Sequence, residues 1–119
     1  MLEFGAKGEE MRTAGSFGEF WPQYVRAHSD AATRVLHCAG TLLGWAIVAA
    51  AIVKRKWWWV GLALVVPYAF AWVSHFFIEH NKPASFDHPL WSWLADQKMV
   101  GMMLRGKMGE EVRRTTSVE

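Results

Sequence analysis

Five histidines, His28, His37, His75, His80 and His88, carry most of the chemistry that this 119-residue sequence can offer. The single cysteine, Cys38, excludes an internal disulfide and any paired-thiolate metal or redox motif. Imidazole and carboxylate ligands without thiolates suit Fe(II), Zn or Mn. Two histidines and one carboxylate on a face of iron leave positions for oxygen and a chelating substrate. His75 and Glu79 stand one helical turn apart, so both project from one helix face. Whether the other imidazoles reach that face depends on the elements that carry them.

Charge patterning defines those elements. The thirteen Lys and Arg and the eleven Asp and Glu all fall outside two stretches, residues 36–53 and 57–78. As helices rising about 1.5 Å per residue, these stretches are roughly 27 and 33 Å long, against a hydrocarbon core of about 30 Å. A buried helix pair in a soluble bundle is the alternative, but so long an uncharged run is unusual there. The pattern therefore predicts an all-α fold: a membrane helical hairpin with a short N-terminal helix and a C-terminal interfacial helix, in an integral, multi-pass membrane protein. Residues 1–16 read as a mobile tail, 17–108 as a single membrane-embedded domain and 109–119 as a polar tail. Glu3, Glu9 and Glu10 argue against a cleavable signal peptide. A net charge of +2 gives no case for nucleic acid as a partner.

The first helix is expected over 17–28, with Phe20, Trp21 and Tyr24 on one side and Pro22 in its first turn. Ser29 and Asp30 offer caps for a break and a restart near Ala31. A second helix runs to Val53, and Lys54, Arg55 and Lys56 form a turn that cannot enter hydrocarbon cheaply. The third helix, over 57–80, opens with three tryptophans suited to an interfacial belt and should bend at Pro67. After a loop over 81–87, Pro89 starts a last helix to about 108, which Asp96 and Lys98 keep at the interface.

Measured from Arg55 at about 1.5 Å per residue, His37 and His75 lie roughly 27 and 30 Å away, nearly level in an antiparallel pair. His28 falls at the break at the same end. His28, His37, His75 and Glu79 thus gather at one membrane edge, where ionisable groups are costly unless they pair or bind something. The two readings are a metal site and a hydrogen-bonded His–Glu network pinning the helices. His80 and His88 read as interface histidines.

Two segments carry a resemblance: FWPQYVRAHSDAATRVLHCAGTLLG, and then WVSHFFIEHNKPASFDHPLWSWLADQKMVGMMLRGK. Over about residues 17–108 the chain resembles the 2-hydroxy fatty acid dioxygenase family of phytosphingosine metabolism, small multi-pass membrane proteins, in a compact bacterial-type form. The most specific match is GH-x-x-x-E-x-x-x-P, met here by Ser74, His75, Glu79 and Pro83, with serine in the glycine's place. The family's upstream histidine pair falls on His28 and His37. The fungal member has an additional histidine where this chain has Ala27 or Ser29.

The resemblance implies an Fe(II)-dependent α-oxidation that consumes O2 and shortens a 2-hydroxy fatty acid by one carbon. It favours the three histidines as metal ligands, Glu79 as ligand or orienting partner, and His75 and Glu79 as the catalytic pair. A lipid substrate would present its carboxylate and 2-hydroxyl at headgroup level, where Arg34 and Lys82 could attract the carboxylate. Two other classes stay open. His37 and His75 could be axial ligands of a non-covalent haem, or the chain could be a non-catalytic scaffold. In the scaffold reading, Gly40 and Gly44 build a homo-oligomer.

Overall fold

The computed structural model describes residues 13–116, and among these the secondary structure is entirely helical. The elements are α1 (Phe17–Ala27), α2 (Ala31–Lys54), α3 (Trp59–Ser74), α4 (Pro89–Leu104) and α5 (Met108–Thr116). A π-helical turn, His75–Glu79, extends α3, and a short 3-10 turn, Ala84–Phe86, precedes α4. The tail expected over 1–16 lies mostly outside the described residues.

Helix α1 starts where its cap dictates. The Ser16 side chain accepts from the Glu19 N–H at 3.2 Å, and Glu19 reaches back to accept from the Gly15 N–H at 2.8 Å. This start places Pro22 in the helix interior, correcting the expectation that it would lie in the first turn. The Pro22 ring has no N–H to offer the Gly18 carbonyl. The break between α1 and α2 falls as expected: Asp30 is the N-cap of α2 and accepts from the Ala32 N–H at 2.8 Å.

Helices α2 and α3 lie against each other over glycine contacts. A Cβ on Gly40 would sit 2.8 Å from the Phe70 Cβ, and one on Gly44 would sit 2.8 Å from the Pro67 Cγ. The pairing is antiparallel, since the later residue on α2 meets the earlier one on α3. Both glycines are thus covered within the chain, which removes the small-residue face that suggested an oligomer contact. The turn closes with Arg55 in the left-handed region (φ 54°) and the Lys56 N–H on the Ala51 carbonyl at 2.9 Å.

The layer across one end of this pair is built by α1, α4 and α5. Phe20, Trp21, Tyr24, Val25, Ala95, Met99 and Met108 form its buried core. Residues 109–116, expected as part of a polar tail, are instead helical in α5. Trp21 donates to the Glu111 carboxylate at 2.6 Å, and Met108 and Thr115 are buried. Charge placement supports this short helix, with Glu110 and Glu111 in its first turn and Arg113 and Arg114 in its last.

Candidate metal centre

Three elements bring the histidines together. His28 caps the end of α1, His37 lies in the second turn of α2, and His75 opens the π-turn after α3. One nitrogen from each lies within 4.8 Å of the other two. The ring centroids are 4.5, 4.5 and 5.2 Å apart, and each pair of rings is close to perpendicular. All three are buried.

In each ring, Nδ1 already has a protein partner. His28 Nδ1 is 2.6 Å from the Tyr24 carbonyl, an acceptor only, so this nitrogen carries the proton. His75 Nδ1 is 2.7 Å from Asn81 Oδ1, and Asn81 donates its amide to the Ala27 carbonyl, which fixes its oxygen toward the imidazole. His37 Nδ1 is 3.3 Å from Asp96 Oδ1, which also accepts from the Tyr24 hydroxyl. A neutral imidazole that donates through Nδ1 keeps a lone pair on Nε2. His28 Nε2 and His37 Nε2 are buried without any hydrogen-bond partner.

Burial also favours the neutral form. It pushes the His28 pKa well below its usual value, with His37 and His75 adding to the effect. The Tyr24 pKa is raised well above the phenol range, by burial first and then by Asp96, so Tyr24 remains a hydrogen-bond donor. Buried orphan nitrogens are costly unless something occupies them. Three imidazole nitrogens, each ring oriented from behind by an acceptor, fit a divalent transition metal. They leave half of an octahedral shell to other ligands.

Glu79 does not join them. Its Oε2 accepts from the Asp30 N–H at 2.9 Å, tying the end of the π-turn to the start of α2. The expected pairing of Glu79 with His75 is replaced by one with Asn81. Here the His80 N–H bonds to the His75 carbonyl five residues back, so the turn holds an extra residue. His80 then adopts the left-handed region (φ 56°), and the chain returns Asn81 rather than Glu79 to the imidazole.

The two expected carboxylate-binding cations are both engaged. Arg34 donates to the His28 and Ser29 carbonyls at 2.8 Å each, holding the α1–α2 break. Lys82 pairs with Asp87 at 2.8 Å. His80 and His88 lie outside the triad, and His88 stacks on Trp91 with centroids 4.7 Å apart. Ser74, standing where the resembling family has glycine, is fully buried and donates its hydroxyl to the Ala71 carbonyl at 2.7 Å.

Asp96, Asn81 and Tyr24 are the site residues that the sequence reading missed. A signal existed for Asp96: its neighbours one turn away, Ser92 and Val100, offer no cation, so its charge needed a partner from another element. Beside His37 and His75 lies a cavity of only about 10 Å³, floored by Pro83 and Ser92. That space admits no porphyrin between the two rings.

No curated protein matches the chain, and no solved structure does. A family description does match, across residues 14–108, a span containing all three histidines and every partner that orients them. The chain belongs to the Mpo1-like family, described as 2-hydroxy-palmitic acid dioxygenase Mpo1-like.

Proposed function

We propose that this chain is a membrane-embedded, Fe(II)-dependent dioxygenase that shortens 2-hydroxy fatty acids by one carbon. The observation that carries the reading is the trio of buried imidazoles held in one tautomer, with unpartnered Nε2 atoms on His28 and His37. His28, His37 and His75 would hold the iron through Nε2, oriented by the Tyr24 carbonyl, Asp96 and Asn81. Bound Fe(II) would supply the one-electron chemistry that O2 needs to react with an α-hydroxy acid. Glu79 positions rather than ligates, fixing the π-turn against the start of α2. Recruiting Arg34 or Lys82 to the substrate carboxylate would break bonds they already make, so recognition rests on chelation by the carboxylate and the 2-hydroxyl.

Two helices, Ala31–Lys54 and Trp59–Glu79, are long and apolar enough to cross a membrane. Only 28% and 22% of their apolar windows are buried, whereas a core helix in a soluble protein is mostly covered. Membrane embedding accounts for that exposure and for a fatty substrate reaching the site from the bilayer.

The test is chemical. Iron-loaded protein given an even-chain 2-hydroxy acid and O2 should yield the odd-chain product, and the acid lacking the 2-hydroxyl should be left intact. Zinc in the same ligands cannot change oxidation state and should give no product. No odd-chain product from iron-loaded protein would sink the reaction.

A further inference from the structure

A groove of about 560 Å³ runs along α3 and is lined on its other side by the segment leading into α4. Leu64, Val65 and Trp72 of α3 and Phe86 of the 3-10 turn line it, and its walls are apolar almost throughout. The two polar side chains in its lining, Tyr68 and Ser85, also line the small cavity beside His37 and His75. Groove and histidine site therefore meet at one junction, with the polar groups on the side of the imidazoles. Trp72 donates to the Ser85 hydroxyl at 3.3 Å and meets Phe86 edge to face at 5.3 Å, fixing the wall.

A second cavity, of about 130 Å³, lies between α2, α3 and α4 and reaches Val48 and Val60. Tyr68 and Leu64 line this one too, so Tyr68 stands where all three spaces meet. The groove is the larger of the two and its lining residues Leu64 and Val65 are exposed, which lets a chain enter sideways from a bilayer.

We propose that the groove along α3 holds the alkyl chain of the substrate, and that Tyr68, where the groove meets the histidine cavity and the smaller cavity, directs the chain into the groove. The proposal rests on the reading of the triad as a fatty-acid site. Transfer from lipid to an apolar groove brings no hydrophobic gain, so selectivity must come from shape, and Tyr68 is the side chain that closes the shape.

The experiment uses the full chain in phosphatidylcholine nanodiscs and 2-hydroxy-palmitic acid carrying a mid-chain diazirine. Adducts mapped by mass spectrometry should fall on residues 64–72 and 86–89, and excess unlabelled 2-hydroxy-palmitic acid should remove them. Ala69 is exposed in the groove wall. Ala69→Trp should abolish the adducts while metal content is unchanged. Tyr68→Ala should open the groove into the smaller cavity and spread competed adducts to Val48, Val60 or Trp93. Competed adducts on those three residues in the wild-type chain, or adducts that no unlabelled acid removes, would overturn the proposal. An unchanged adduct map in Tyr68→Ala would overturn the role of Tyr68. Product formation is assayed separately on the same preparation. Turnover with adducts elsewhere defeats the groove alone, and competed groove adducts without turnover defeat the reaction alone.

Discussion

The two ends of the α2–α3 pair are built on opposite terms. At the histidine end, polar groups are buried: His28 is 0% exposed, His75 2% and His37 3%. At the turn end, apolar groups are exposed: Trp57 is 62% and Trp58 70% accessible beside Lys54, Arg55 and Lys56. A buried polar end must supply a partner for each polar atom, and this one supplies an acceptor for every Nδ1. What remains on the imidazoles is Nε2, buried and unpartnered on His28 and His37. An exposed aromatic and basic end needs no such matching, provided its surroundings are a membrane interface. One end is thus specified by individual hydrogen bonds, the other by its solvent.

The largest effect should come from breaking the polar end at its centre. His28→Ala, His37→Ala and His75→Ala should each remove stoichiometric metal from purified protein, measured by elemental analysis, whereas His88→Ala should keep it. Metal retained at full stoichiometry in all three variants would dissolve the contrast between the two ends. A smaller loss should follow Asp96→Asn, which preserves shape but weakens the hold on His37 Nδ1. Losing a partner that orients a metal-binding imidazole costs about 10- to 100-fold in metal affinity. Glu79→Gln, which leaves every imidazole partner in place, should cost less than Asp96→Asn. The reverse order would return Glu79 to the ligand set.

How far the sequence could be read follows the same division. Charge-free stretches, the Asp30 cap and the basic turn are local features, and each fell where the pattern placed it. The histidine register depended only on helical rise and an antiparallel pair, so the meeting of His28, His37 and His75 was legible. Glu79 was misplaced because the group that takes it up, the Asp30 N–H, lies on another element that spacing along one helix does not reveal. The part of Asp96 in the site was not legible because its partners, Tyr24 and His37, come from α1 and α2. Helix α5 was missed because its amphipathic face spans only nine residues, shorter than the window over which helical periodicity is read from sequence.

Between the two ends, the helix contact itself can be stressed. Gly44→Ala would push a methyl against Pro67 and the Ala63 carbonyl, 2.8 and 3.1 Å away, and should lower stability by about 1–3 kcal/mol in detergent unfolding. Gly101→Ala meets nothing within 4 Å and should be neutral or slightly stabilising. A Gly44→Ala protein of unchanged stability but altered oligomeric state would mean that this face serves a second copy instead.

The smallest effect concerns the layer over the polar end. Trp21 donates to Glu111, and Arg114 bonds the other oxygen of the same carboxylate. The Glu111 pKa is lowered, chiefly by the Trp21 hydrogen bond and then by Arg114, against the opposing effect of burial. A carboxyl depressed in the folded state adds stability above its unfolded pKa, near 4.3, and that stability is lost as pH falls through the folded value. Trp21→Phe removes one donor and leaves Arg114 in place, so it should cost about 1 kcal/mol at neutral pH. The cost should shrink as pH falls through the lowered folded value, below the ordinary carboxylate range, where Glu111 takes up a proton in wild type and variant alike. Hydrogen exchange read at the α5 amides resolves this from the rest of the chain: exchange should quicken across α5 at neutral pH and not in α2 or α3. A variant whose added exchange is the same at neutral and acid pH would show that Trp21 holds α5 by packing alone.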